Sequence, residues 1–473
     1  MIFTFALASA LATLAPDASE ITVYNQGFGL IKETRILNLK EGRQSIAVED
    51  VASRIETNSV GIKSLTDPDG FSVLEQNYQY DLISPLAILN KSVGQKVRFI
   101  RTIGQQRDVL EGILISSPTS IVGNPDGSSQ QTYNGMVIRT DDGRIVLSPS
   151  GEIEVSSVPA GLISKPTLLW EIEAAKAGQN TIELSYLTQG MNWNADYVLM
   201  YDGVGSGDLK GWVTMSNQSG IGFKDAKLKL LAGDVARVQP QGGGFGGRAG
   251  GQVMMKSAAP AFAEESLFEY HLYTLQRPAT VANNETKQLS LLEGKGIKVT
   301  KKLIIDSMMG YGTYYPNQGE VGTGDIKPQV RLEFVNSKEN NLGIPLPKGK
   351  IKIYQRDNSG SVQMLGEAAI DHTPRDEKLS LVVGQSFDIR ASRKRTNFHL
   401  IDNETAEESF EISVRNRKDV SDTVHVLERH WGDWKVTDKS MDFVKADANT
   451  MEFTVDLKAG EEKKITYTVV THW

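Results

Sequence analysis

Gly242, Gly244 and Gly247 stand in QGGGFGGRAGG, residues 241–251, at the spacing of a dinucleotide-binding turn. Such a turn grips a pyrophosphate only when a strand leads into it and a helix opens directly behind, aiming free N–H groups at the anion. Residues 227–231 supply a strand, but 235–241 intervene with a proline, and QVMMKSAAPAFAEE places Pro260 where the helix would run. The Gly-Lys-Ser/Thr ending of a P-loop is missing too. Residues 239–265 therefore read as a flexible Gly/Ala-rich loop. Phe245, Met254, Met255 and Phe262 are apolar residues within it, suited to ordering against a partner, and Phe245 is taken as a contact position.

Other reactive side chains form no recognisable set. The six histidines, at 271, 372, 399, 425, 430 and 472, include no His-Glu-Xaa-Xaa-His. His425 and His430 are closest, but an offset of five puts them on opposite faces of a regular strand. In Gly203-Val-Gly-Ser-Gly the serine comes one position too late for a nucleophile elbow, so the segment reads as a hairpin tip. The chain has no cysteine, which excludes disulfides, thiol catalysis and thiolate metal sites. A glycosidase needs two facing carboxylates, and 58 acidic residues offer no way of picking a pair. The basic run RASRKR, 390–395, suits phosphate or polysaccharide on one reading and a solvated hairpin face on another. Trp431 and Trp434 in HWGDW suit contact with a sugar or protein partner, or the capping of a core. No catalytic, cofactor-binding or metal-binding residue is assigned, and no cofactor is expected.

The elements that would position these residues are strands. EITVY at 20, IKIY at 351, FEISV at 410 and KITYTV at 464 alternate apolar with polar residues, and turn clusters at Asp67-Pro-Asp-Gly, Asn124-Pro-Asp-Gly, Asp141-Asp-Gly and Asp357-Asn-Ser-Gly separate such runs. No long amphipathic helical pattern occurs. The fold class is all-β: two or three immunoglobulin-like β-sandwiches with a small inserted β-barrel. The barrel is placed at 92–158 by short strands packed between glycine turns. RILNLKEGRQSIAVE at 35, WEIEAAKAGQNTIELSYL at 170 and FTVDLKAGEEKKITYTVV at 453 repeat a strand, a Lys-Xaa-Gly turn and a strand, each read as one hairpin of a separate sandwich.

At 473 residues several domains are expected. Residues 1–18 carry an apolar run, too short for a membrane anchor, that reads as a signal peptide. Residues 19–165 form an N-terminal β region, 166–238 the first part of a second β domain, and 266–473 a C-terminal sandwich region beyond the glycine loop. The formal charge of −7 gives no global attraction to nucleic acid, and no later segment is long and apolar enough to span a bilayer.

Two blocks carry a resemblance. SYLTQGMNWNADYVLMYDG with GWVTMSNQSGIGFKDAKLKLLAGD places Trp193 and Tyr197 four apart, Asn217 at a strand end, then Asp225 to Leu230 as Asp-Ala-Xaa-Leu-Xaa-Leu. The second block runs from EYHLYTLQRPATVANNETKQLSLL through FVNSKENNLGIPLPKGKIKIYQRDNSG to LGEAAIDHTPRDEKLSLVVG. Together they resemble the domain-of-unknown-function 4139 family, related to mucoidy-inhibitor-like proteins, over most of 166–473. VYNQGFGLIKETR resembles the segment preceding that domain. The resemblance implies a β fold and export, and brings no catalytic residues. The expected function is a non-catalytic binding or structural module of the cell envelope, periplasmic, cell-surface or secreted, with an envelope protein or polysaccharide as partner. The alternative is a hydrolase acting on envelope polysaccharide or peptide through a carboxylate pair.

Overall fold

The computed structural model describes residues 11–12, 18–103, 106–116, 118–123, 129–133, 135–237, 262–308 and 321–473. Most of the N-terminal apolar run, the Asn124 turn and nearly all of the glycine loop, with Phe245, lie outside the described residues. The chain divides into two units: Met1–Trp193, Met215–Met255 and Thr274–Lys287 form the first, and Asn194–Thr214, Lys256–Tyr273 and Gln288–Trp473 the second. Strands dominate both, as the alternation requires.

In the first unit one sheet orders Leu11–Ala12, Gly42–Glu49, Thr167–Ala174 and Phe71–Gln79, and another runs Phe223–Ala232, Ala18–Tyr24, Phe28–Leu39, Gly178–Gln189 and Gly61–Ser64. Period-2 patterning buries Ile46, Val48, Trp170 and Ile172 of the former and Ile31, Leu37, Ile182 and Leu184 of the latter. The repeated Lys-Xaa-Gly segments are not hairpins. Phe28–Leu39 and Gly42–Glu49 belong to different sheets, as do Thr167–Ala174 and Gly178–Gln189, so each glycine turn is an arch carrying the chain from sheet to sheet. Thr450–Leu457 and Glu462–His472 repeat this in the second unit. Gly42 and Gly460, at φ 87° and 70°, supply the left-handed backbone of two arches. Alternation is the same in a hairpin and in an arch, so periodicity does not separate them.

The insert opens with a short helix, Pro85–Lys91, which strand periodicity did not announce. Proline starts it and the Ser84 hydroxyl accepts from the Ala87 N–H at 3.1 Å. Leu89 packs with Val97, Phe99, Leu114, Met136 and Ile138. The insert's sheet runs Ile145–Leu147, Val137–Thr140, Gln106–Leu114, Lys96–Ile103 and Glu152–Val155, antiparallel throughout. Among the described residues its outer strands do not pair with each other, so the sheet is open where a closed barrel was expected.

The C-terminal part of the second unit is a sandwich. One sheet orders Lys378–Gln385, Gln329–Val335, Thr300–Asp306, Asp422–Arg429, Thr450–Leu457 and Val444–Lys445. The other orders Gly324–Ile326, Ile389–Asp402, Thr405–Asn416, Glu462–His472 and Asp433–Lys439. Leu303, Val424 and Phe453 of the first share one core with Ile389, Phe410 and Ile465 of the second.

Besides the glycine arches, three asparagines stand where the chain leaves one sheet for another. Asn217, Asn336 and Asn416 are each wholly buried at a strand end. The Asn217 amide donates to Ile221 O and Ala282 O, that of Asn336 to Ile344 O and Pro374 O, and that of Asn416 to Val420 O and Lys458 O, all within 3.1 Å. Each Oδ1 accepts a loop N–H in return, from Ser219, Gly343 and Lys418. A crossing loop has no ladder to satisfy its backbone, and one amide side chain does that work at each of these three crossings.

Candidate functional site

A buried group of ionisable side chains lies inside the C-terminal sandwich. Its first member comes from the basic run: on Ile389–Asp402 the inward face is set by Ile389 and Ala391, and the same parity carries Arg393 and Arg395 inward. Arg393 lies over the Phe410 ring at 3.9 Å and meets Glu428, on the opposite sheet, with Nε 2.9 Å and Nη2 2.8 Å from Oε2. The Tyr467 hydroxyl donates to the same carboxylate, and the Ser307 hydroxyl to its Oε1 at 3.4 Å. Beside them Arg395 pairs with buried Glu408 at 3.0 Å.

The electrostatics follow from the packing. Burial works against the Arg393 charge, but Glu428 together with Tyr467 more than offsets it and holds the guanidinium pKa above its ordinary value. Burial, then the Glu428 charge, drives the Tyr467 phenol well above its usual range. His430 packs between the rings of Trp434 and Tyr467, centroids 5.2 and 5.8 Å away. Burial, reinforced by Arg393, lowers its pKa to about 3, and its Nε2 makes no hydrogen bond. The imidazole is therefore neutral at ordinary pH.

The first unit holds a smaller relative. Glu33 and Arg35, two apart on Phe28–Leu39, share its inward face and pair at 2.7 Å. Arg35 also donates to Glu49 O at 2.7 Å and Asp50 O at 3.0 Å. Burial raises the Glu33 carboxyl pKa, with Arg35 restraining the rise.

Chemically these groups brace the fold. Glu428 accepts from three side chains and is wholly buried, so as packed it offers no lone pair to a substrate. Of the expected contact residues, Trp431 is 37% exposed, while Trp434 is 7% exposed. The Trp434 indole donates to Ala448 O at 2.9 Å and lies under the Lys445 ammonium, so Trp434 caps the core and presents no ring to a ligand. His425 sits on the outer face, 2.7 Å from Glu452, away from buried His430. Gly432 makes the turn between Trp431 and Trp434: its φ is 77° and a Cβ there would stand 2.3 Å from His472 O. Among the described residues no group of three or more His, Asp or Glu side chains is placed to hold a metal ion, and no helix is long and apolar enough to cross a membrane.

Sequence reasoning left the Arg393–Glu428 cluster unfound because it took six residues rich in Arg and Lys as a surface. Extending the Ile389–Ala391 alternation by one step turns Arg393 inward, but no local pattern points to Glu428, 35 residues on.

Fold and cluster together define an all-β protein with sandwich architecture whose buried ionisable groups tie its sheets and loops together. No family model matches the chain, and no curated protein does.

Proposed function

We propose that the protein is an exported, non-catalytic binding or structural module of the cell envelope, related to the domain-of-unknown-function 4139 family. One observation carries the reading: among the described residues the buried carboxylates Glu33, Glu408 and Glu428 are each bound to an arginine, so these acids are engaged in holding the fold. Export is supported by the apolar N-terminal run, and the lack of cysteine leaves packing and ion pairs to stabilise the protein outside the cell. Recognition falls to hairpin tips and strand edges, where an incoming chain meets exposed side chains and main-chain donors.

Complementation of a deletion strain tests this. Glu428→Gln, Glu408→Gln and Glu33→Gln, scored for folding by near-ultraviolet circular dichroism, are expected to complement whenever they fold, and a tagged chain to fractionate outside the cytoplasm. A folded variant that fails to complement would move the reading to a hydrolase acting on envelope polysaccharide or peptide.

A further inference from the structure

Phe262–Leu267 and Tyr270–Leu275 are joined by a loop of two residues, Phe268 and Glu269. Two-residue hairpin loops take a positive φ at their first position, where Gly, Asn and Asp are favoured. Phe268 occupies it with φ 57°. Among the described residues seven non-glycine positions have positive φ, and five of these are Asp or Asn, whose short polar side chains tolerate the left-handed region. Phe268 is the one bulky side chain in that set, and it is 84% exposed, with Leu267 beside it 47% exposed. Backbone strain and a ring in water both cost stability, and a glycine or asparagine would remove both. Strain held at an exposed position in this way points to contact with something outside the chain.

The base of the hairpin is firmly held. Leu272 and Tyr273 are buried, the Tyr273 hydroxyl donates to Pro345 O at 2.9 Å, and His271 Nδ1 lies 2.8 Å from Glu264 Oε1. The tip therefore projects from a fixed stem. Its charge is of one sign: FAEESLFEYHLYTL, residues 262–275, carries Glu264, Glu265 and Glu269 and no Lys or Arg, with Glu265 and Glu269 exposed.

We infer that Leu267 and Phe268 form a plug that inserts into an apolar pocket, rimmed by Lys or Arg, on a partner protein. This rests on the binding-module reading and names its partner's chemistry. A projecting tip calls for a concave receiver, and its glutamates call for a basic rim. The same glutamates are repelled by an anionic lipid surface. The Phe268 and Tyr270 rings, inclined at 59°, form no flat platform for a sugar.

The test places a photoreactive benzoylphenylalanine at Phe268 in the full chain, expressed in its native cells, and identifies the adduct by mass spectrometry. The expected result is one discrete protein adduct. That protein, purified, should bind the chain with an affinity that falls as salt rises. Phe268→Gly and the pair Glu265→Lys/Glu269→Lys should each weaken binding by about tenfold or more. Phe268→Gly should melt no lower than the parent, which separates lost contact from lost fold. An adduct with lipid, glycan or a second copy of this chain, no adduct, or parental binding by Phe268→Gly would overturn the inference. The carboxylate variants are scored by complementation, so the two readings fail separately.

Discussion

The two units each bury an arginine–glutamate pair, and the pairs are built at opposite ranges. Glu33 and Arg35 lie two residues apart on one strand, and the arginine's remaining donors fasten the carbonyls of Glu49 and Asp50. Arg393 and Glu428 come from facing sheets of a sandwich and recruit Tyr467 and Ser307. The local pair can form once its strand forms and then pins a loop. The long-range pair forms only when two sheets meet in register. It therefore rejects misaligned packings, in which either charge would be buried alone. The chemistry is shared, but one pair fixes a connection and the other fixes a sandwich.

That contrast is open to breaking. The largest effect is expected from Glu428→Ala, which strands the Arg393 charge in the core: about 3–5 kcal/mol of stability lost, read as a lower urea midpoint. Acidification should come next and act through the second unit. His430 has a folded pKa near 3 against an unfolded value near 6.5, so between those pH values the unfolded chain takes up a proton that the folded one refuses. Stability should fall with pH across that window by up to about 1.4 kcal/mol per unit, and His430→Leu should flatten the slope. Glu33 contributes with the opposite sign: its raised folded pKa gives stability that is present at acid pH and lost as pH rises. Glu33→Gln should cost far less than Glu428→Ala, about 1 kcal/mol, because burial favours a neutral side chain at this site and Arg35 keeps its two carbonyl acceptors. The smallest effect belongs to an exposed pair. Arg98 meets Glu111 and Glu154 on the insert's surface, and Arg98→Gln should cost less than about 1 kcal/mol, the loss shrinking in salt.

Much of the β architecture was legible because burial on one face imposes period 2. Trp193 and Tyr197, four apart on the strand Met191–Tyr201 and so on one face, are both buried, and their polar tips reach Leu231 O and Pro347 O. The glycine of Asp357-Asn-Ser-Gly takes φ 85° and returns its N–H to Asp357 O, as a tight turn demands. What stayed hidden depends on where a strand's partner lies. The Lys-Xaa-Gly turns hold the same residues whether the next strand joins the same sheet or crosses to another. Asn217 was legible as a strand end, but the carbonyl it holds at Ala282 is 65 residues away, beyond any local pattern. Arg393 was legible in parity and masked by its charge, since a buried arginine is recognised only with its partner, and Glu428 lies 35 positions on. Of the expected contacts, Trp431 keeps a partly exposed ring and Trp434 was taken up by the core.

A double-mutant cycle on Arg393→Met and Glu428→Gln, read by urea unfolding at pH 7, tests most directly the claim that this pair acts as one clamp between two sheets. The account predicts that each single variant loses several kcal/mol, on the order of 3, and that the double variant loses no more than the worse single. Losses that simply add would show two independent side chains and contradict it.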